Sequence, residues 1–192
     1  MFLYAKELHM NLAKITLKKE EGRTLRSGGS WVYDNEIEKT EGNFKDGDLV
    51  KVHAFNDFCL GTGFINSKSK IRIRMMTRSQ DQVVDDDFIR LRVRDCIAYR
   101  KSTIDMSSCR LIFGEADFLP GLVVDKFEDI LVVQSLALGI DSFKLLIIDE
   151  IKNYSFLTDI KIILQTIRTM FPDNNYLVQE DCENWEYTPK NL

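Results

Sequence analysis

Two groups of cationic side chains in the first 80 residues are the best candidates for chemistry. One precedes and enters a glycine-rich turn, and the other lies where no acidic residue occurs between Asp57 and Asp81. Arg and Lys bind phosphate, and Arg does so through two parallel hydrogen bonds. Both groups therefore indicate a surface for a polyanion. They comprise Lys14, Lys18, Lys19, Arg23 and Arg26, and then Lys68, Lys70, Arg72, Arg74 and Arg78.

Arg72 and Arg74 are expected on one face of a strand, because side chains alternate along a strand. Two guanidinium groups on one face repel each other unless an anion faces them, and phosphate is a natural candidate. Ser27 and Gly28 belong to the turn, where glycine allows a close approach of backbone N–H groups to a ligand. The other interpretation is a solvated polar face, balanced by acidic residues such as Glu20 and Glu21.

The charge is distributed unevenly along the 192 residues. Residues 1–80 contain 14 Lys+Arg against 10 Asp+Glu, whereas residues 81–192 contain 12 against 20, and the net charge of the chain is -4. Such a split favours a front half that faces a polyanion. Chance variation between two ordinary surfaces would look the same.

Other reactive side chains fit structural roles better. The cysteines at 59, 96, 109 and 182 show no Cys-x-x-Cys spacing, and the two histidines are isolated, so no metal site is predicted. Glu115 and Asp117 are expected to form a structured turn rather than a catalytic pair. Trp31 is expected in the core, although Trp31 and Tyr33 could instead stack on bases.

Short alternating segments predict strands over residues 13–18, 31–33, 48–55, 59–65 and 71–76, and hence a small β-barrel. Asp85, Asp86 and Asp87 indicate the start of a helix that continues to about Lys101. Strands at 110–113, 121–126 and 130–135 and helices at 141–151 and 158–171 then predict a compact α+β unit. The fold class is mixed α+β.

The predicted organisation has four parts: an N-terminal extension over 1–11, the barrel over 12–79, the α+β unit over 85–171, and a poorly ordered acidic tail over 172–192. No apolar run approaches the roughly 18 residues that a membrane span needs, and no signal peptide is recognisable. A cytoplasmic location with free thiols is expected.

Two sequence stretches resemble the N-terminal half of the class I SAM-dependent large-subunit rRNA cytosine-5-methyltransferases. The first resembles their PUA domain, and the second resembles their central α+β domain, called EEHEE after its element order. The resemblance covers about residues 12–140. The stretches that carry it are Leu17-Lys18-Lys19, Leu25-Arg26-Ser27-Gly28, Trp31-Val32-Tyr33, Leu60 to Asn66, Ile71 to Arg74, Ile97 to Arg100 and Arg110 to Lys126.

The resemblance implies RNA contact by Lys18, Arg23, Arg26, Ser27 and Gly28. It departs from the family at Gly29-Ser30, where His-Pro is usual, and this departure predicts a looser turn. Residues 143–192 match poorly. No position matches the catalytic cysteine, and no glycine-rich loop for S-adenosylmethionine follows a strand, since Gly139 is the last glycine.

The resemblance thus implies an RNA-binding front part that positions rRNA for a SAM-dependent catalytic domain not found in this sequence. The chain alone is predicted to bind no cofactor and to be inactive, with RNA as its partner. Two alternatives stay open: a stand-alone RNA-binding adaptor that recruits an enzyme in trans, and a non-RNA protein that forms a homodimer through the apolar faces of 143–151 and 160–170.

Overall fold

Six strands form one curled sheet in the first half of the chain. In the computed structural model, residues 12–155 and 161–166 are described, with side chains over 12–153. The strand order is β2-β6-β5-β4-β1-β3. The strands are β1 (Ala13–Leu17), β2 (Trp31–Tyr33), β3 (Ile37–Glu41), β4 (Leu49–His53), β5 (Cys59–Ile65) and β6 (Ile71–Thr77).

The sheet curls around its own apolar core and forms a half-barrel. Strands β1 and β4 alternate between buried and half-buried side chains, as the sequence pattern predicts. Ile15, Leu17, Val32, Val52 and Ile73 are fully buried in this core. Because β2 and β3 stand at opposite edges in the strand order, the barrel is less closed than the sequence suggests.

Two elements of the half-barrel were not predicted. The glycine-rich stretch contains a short helix, α1 (Arg23–Arg26), which is anchored by the buried Leu25. Strand β3 carries mostly exposed polar residues, and it pairs with β1 at the edge of the sheet. Its sequence shows no apolar alternation, so a pattern-based prediction cannot detect it.

The second unit begins with the helix α2 (Asp86–Thr103). The Asp85 side chain accepts a hydrogen bond from the Phe88 backbone N–H, which confirms the predicted N-cap. A four-stranded sheet follows in the order β10-β9-β8-β7. The remaining elements are β7 (Ser108–Phe113), β8 (Leu122–Phe127), β9 (Ile130–Ser135), α3 (Leu138–Asp141), α4 (Lys144–Ser155) and β10 (Lys161–Thr166).

The predicted helix over 158–171 is wrong where the structure describes it. Residues 161–166 form β10, which pairs in parallel with β9 from Lys161 opposite Ile130 to Thr166 opposite Ser135. A short apolar run such as Ile162-Ile163-Leu164 suits either state, and here pairing with an available strand decides the outcome. The predicted extension over 1–11 and tail over 172–192 lie outside the described residues.

The apolar face of α4, which motivated a homodimer, packs inside the chain. Ile147, Ile148 and Ile151 are buried in the core of the second unit, where α4 packs on α2. Among the described side chains of α4, Leu145 is the one large apolar residue that stays exposed, at 72%. No helix in the described part of the chain is long and apolar enough to cross a membrane.

The two units share part of one core. Phe64 and Met76 belong to strands of the half-barrel, yet both are buried in the apolar cluster of the second unit. The Phe64 ring packs against Phe143, with ring centroids 6.0 Å apart. It also fills the space that a side chain at Gly139 would need, so only glycine fits at this position.

Candidate nucleic-acid interface

An open groove on the half-barrel brings together three of the predicted RNA-contacting cations. One wall is the segment from β1 through α1, and the other is the turn after β4. The groove contains four cations against two carboxylates, together with an exposed aromatic ring. Its lining residues are Lys18, Lys19, Glu20, Glu21, Arg23, Arg26, Ala54, Phe55 and Asn56.

The three cations differ in how they are held. The Lys18 ammonium donates a hydrogen bond of 2.7 Å to the Asn35 carbonyl. Arg23 pairs weakly with the exposed Glu20 at 3.4 Å. Arg26 is exposed and has no ion-pair partner among the residues that the structure describes. Exposed pairs of this kind contribute little, so these cations are accessible to an external anion.

Hydrogen bonds hold the turn that follows α1 in place. Gly28 has φ +107°, a backbone conformation that residues other than glycine rarely adopt. The Arg78 guanidinium donates to the carbonyls of Gly28 and Gly29, the latter at 2.9 Å. Ser27 is exposed, and its hydroxyl donates to the Thr24 carbonyl at 3.1 Å. These bonds fix the turn in this structure, and the greater looseness that Gly29-Ser30 predicts relative to His-Pro stays a prediction.

Phe55 is a groove residue that sequence patterns did not single out. Its side chain is 58% exposed in the turn after β4. The turn is fixed by Asp57, which pairs with Lys14 at 2.5 Å and with His53 at 3.2 Å. The hydrogen bond from Lys14 holds the pKa of the Asp57 carboxyl below its usual 3.8. An aromatic residue directly before an Asn-Asp turn is the signal that could have identified it.

Arg72 and Arg74 lie away from this groove. Arg72 donates to the Ser67 carbonyl. Arg74, only 17% exposed in its side chain, pairs with Glu115 of the second unit at 2.6 Å. The anion that faces Arg74 is therefore a carboxylate rather than phosphate. The expected turn around Glu115 and Asp117 is confirmed as a structural element, and it supplies that carboxylate.

Trp31 is not a core residue, contrary to the expectation. Val32 is fully buried, whereas Trp31 and Tyr33 on the opposite face of β2 are 37% and 42% exposed. Residues on either side of a buried strand position point outward because side chains alternate. The Trp31 indole N–H donates to Glu115 Oε1 at 2.7 Å.

Most arginines in the described part of the second unit are paired with carboxylates, although Arg92 lies over the Phe88 and Phe118 rings instead. Arg100 and Asp117 form an ion pair of 2.6 Å in which both side chains are 13% exposed. Arg110 makes two hydrogen bonds to Asp125, of 2.7 and 3.0 Å. These charges are compensated within the fold, so this surface offers less attraction to a polyanion.

Cys96 and Cys109 lack the features of a nucleophile. Burial, together with the negative charge of Asp117, raises the pKa of the Cys96 thiol to about 12. Burial also raises the pKa of Cys109. A thiol with a raised pKa is protonated at neutral pH, which agrees with the structural roles predicted for both. Cys182 lies outside the described residues.

The described residues do not fit a cradle for S-adenosylmethionine. Such a cradle is a glycine-rich turn between a strand and a helix of a parallel sheet. Gly139, the last glycine of the chain, follows β9 at the start of α3, but it packs on the Phe64 ring. The absence of a side chain at Gly139 thus allows the two units to pack together. No cofactor chemistry is assigned to the described residues.

The fold and the site define a PUA-like domain followed by an α+β unit. A family model described as a PUA-like domain matches residues 15–78. This segment is similar to PUA-like domains, and it contains the whole groove.

The chain is homologous to the N-terminal part of ribosomal RNA large subunit methyltransferase I. It is 32% identical to the Alteromonas mediterranea protein over 130 residues, which are 66% of this chain and 33% of that protein. It is 29% identical to the Aeromonas salmonicida protein over 170 residues, or 87% of this chain and 39% of that protein. The chain thus spans roughly a third of the length of these curated relatives.

A solved structure supports the fold. The structure from Streptococcus mutans described as a SAM-dependent methyltransferase superimposes with a TM-score of 0.67 at 12% sequence identity. The superposition covers 80% of this chain and 40% of that one. At this identity the likeness concerns the arrangement of the two units alone.

Proposed function

We propose that this chain binds RNA through its half-barrel, as the N-terminal part of an rRNA cytosine-5-methyltransferase. In this role it positions rRNA for a SAM-dependent catalytic domain outside residues 1–192. The observation that carries the proposal is the groove, which Lys18, Arg23 and Arg26 line together with an exposed Phe55. The homology to ribosomal RNA large subunit methyltransferase I supports the choice of RNA, and a cytoplasmic location follows from the same proposal.

The groove has the two components that binding of single-stranded nucleic acid requires. Exposed Lys and Arg side chains attract the phosphates, and their binding releases counterions from the RNA. An exposed aromatic ring such as Phe55 provides a face on which a base can stack. The backbone N–H groups of Ser27 and Gly28 donate to the carbonyls of Arg23 and Leu25, so they hold the turn in place beside Arg26.

The direct test is fluorescence anisotropy of a labelled RNA oligonucleotide with the wild-type chain and the double variant Arg23→Ala/Arg26→Ala. We expect weaker binding by the variant, because two phosphate contacts are lost. Each contact contributes roughly 0.7 to the slope of log affinity against log salt on a single strand, so the slope should fall by about 1.4.

Arg110→Ala is the matched control, because it removes an arginine whose guanidinium is already paired with Asp125. Its affinity and salt slope should equal those of the wild type. Absence of RNA binding by the wild type, or equal loss in the control and the double variant, would contradict the proposal.

A further inference from the structure

Strand β2 presents two aromatic rings to solvent at the edge of the half-barrel. Trp31 and Tyr33 lie on the face opposite the fully buried Val32, and 37% and 42% of their surfaces are exposed. The two rings meet edge to face, with centroids 6.4 Å apart and planes at 87°. Large aromatic residues left exposed in pairs are uncommon on inert surfaces and indicate a contact site.

The Trp31 ring is held in one orientation by a charged pair. Glu115 Oε1 accepts hydrogen bonds from the Trp31 indole N–H at 2.7 Å and from Arg74 Nη1 at 2.6 Å. The Arg74 guanidinium carbon also lies 5.5 Å from the centre of the Trp31 ring, a cation–π distance. Because these contacts fix the ring before any ligand arrives, little side-chain entropy is lost on binding.

We propose that Trp31, flanked by Tyr33, stacks on an unpaired nucleobase of the bound RNA, and that Glu115 is the positioning residue for this ring. The inference rests on the proposed RNA binding and assigns the substrate class as single-stranded RNA. Stacking on a flat aromatic ring does not distinguish one base from another, because every base has an aromatic face. The Trp31 ring should therefore accept any base. Paired bases are not available to it, because they are already stacked within a helix.

The location of Trp31 favours a nucleobase over other flat ligands. The chain runs from Arg26, through the Ser27–Gly28 turn, directly into β2, and α1 packs against β2. Arg26 of the groove therefore precedes the stacking ring by five residues. An RNA strand whose phosphates contact the turn would carry its bases past Trp31.

Glu115 belongs to the second unit, so the stacking ring of the half-barrel is oriented by a residue from the other unit. Its side chain is one-third exposed, and its two hydrogen bonds join the turn 114–117 to the half-barrel. Removing Glu115 should release the ring without removing it. Weaker stacking is then expected, while the attraction for phosphates is unchanged or slightly increased.

The test uses the full chain with Trp185→Phe, so that Trp31 is the one remaining tryptophan of the two. We expect a single-stranded RNA oligonucleotide to quench the Trp31 fluorescence. An oligonucleotide with the same backbone but abasic sites should bind about tenfold more weakly and quench little. A duplex of the same length should also leave the fluorescence nearly unchanged.

The affinity series adds Trp31→Ala, Trp31→Phe, Glu115→Ala and the control Phe127→Ala, which removes an exposed ring of the second unit. Trp31→Ala should lose about tenfold in affinity for the base-bearing strand and nothing for the abasic strand. Trp31→Phe should retain most of the affinity. Glu115→Ala should lower the fluorescence anisotropy of Trp31 and weaken binding of the base-bearing strand alone, and Phe127→Ala should match the wild type.

Salt-dependent binding without quenching, or with equal quenching by abasic RNA, would overturn the stacking role and leave the proposed function intact. No RNA binding at all would remove both. The quenching measurement keeps Trp31 in place, so it remains decisive even where a substitution at this position impairs folding.

Discussion

The groove of the half-barrel and the second unit hold arginine differently. In the groove, Arg26 has no ion-pair partner among the described residues, and Arg23 has only an exposed one at 3.4 Å. In the second unit, Glu150, only 4% exposed, accepts from Arg90 at 2.8 Å and from Arg94 at 2.6 Å. The number of arginines in a region therefore does not identify a polyanion site, because the pairing of each guanidinium determines its availability.

Each unit also places side chains against the other. The half-barrel places Phe64 and Met76 in the core of the second unit, and the second unit places Glu115 against Trp31 and Arg74. The residues from the half-barrel are apolar and buried, whereas Glu115 is charged and partly exposed. The first should contribute mainly to stability and the second mainly to the orientation of a surface ring.

The largest effect is expected from Phe64→Ala, which tests whether the units are stabilised together. Loss of a buried ring leaves a cavity between β5 and α3, and the free energy of unfolding should fall by about 3 kcal/mol. Urea denaturation followed by circular dichroism measures this. Phe58→Ala, which removes a 54% exposed ring of the same unit, should change stability by less than about 0.5 kcal/mol. Equal effects of both substitutions would mean that the shared core contributes no stability.

The next effect concerns the paired arginines. Glu150→Gln should lower the free energy of unfolding by about 2 kcal/mol at pH 7, since two charge-assisted hydrogen bonds are weakened. Hydrogen bonding from Arg94, assisted by Arg90, holds the pKa of Glu150 below its usual 4.5. The carboxylate therefore stabilises the fold fully above about pH 4.5, and this contribution is lost as the pH falls through the lowered pKa.

The difference between the wild type and Glu150→Gln should accordingly shrink in denaturation experiments below pH 4.5. Asp149→Asn is the matched control, because this neighbouring carboxylate is 57% exposed and contacts Arg90 at the longer distance of 3.3 Å. Its effect should stay below about 0.5 kcal/mol. A difference between wild type and Glu150→Gln that does not vary with pH would show that the ion pair is not its source.

The smallest effect is expected from Asp125→Asn, which releases Arg110 from its ion pair. If the ion pair with Asp125 is what prevents Arg110 from contacting RNA, the variant gains one phosphate contact. The slope of log affinity against log salt should then rise by at most about 0.7, the value of one such contact. Anisotropy titrations at several salt concentrations measure this slope. Glu128→Gln is the control: it removes the same single negative charge, but Glu128 forms no ion pair with an arginine among the described residues. Identical slopes for both variants would mean that location, rather than pairing, keeps Arg110 from the RNA.

Much of the fold could be predicted because its signals are local. The alternation in β6 and the three aspartates before α2 depend on residues within a few positions of each other. Strand β10 could not be predicted, because its state depends on pairing with β9, thirty residues away in the sequence. Strand β3 is a polar edge strand, for which burial gives no periodic signal.

The site was predictable to the extent that it depends on residue type. Lys18, Arg23 and Arg26 could be selected as cations around a glycine-rich turn, and the structure places them in one groove. The position of Trp31 could not be predicted, because its exposure depends on which face of β2 is buried. The partner of Arg74 could not be predicted either, since Glu115 lies 41 residues further along the chain.

The hydrogen bond between Trp31 and Glu115 joins residues 84 positions apart, so it has consequences for the order in which the chain folds. During synthesis, all six strands of the half-barrel have been made by residue 77, well before Glu115 is added. Contacts of such high sequence separation form late, because a long loop must close first. The half-barrel can therefore fold ahead of the second unit on a growing chain, and the Trp31 ring acquires its fixed orientation only when the turn 114–117 docks.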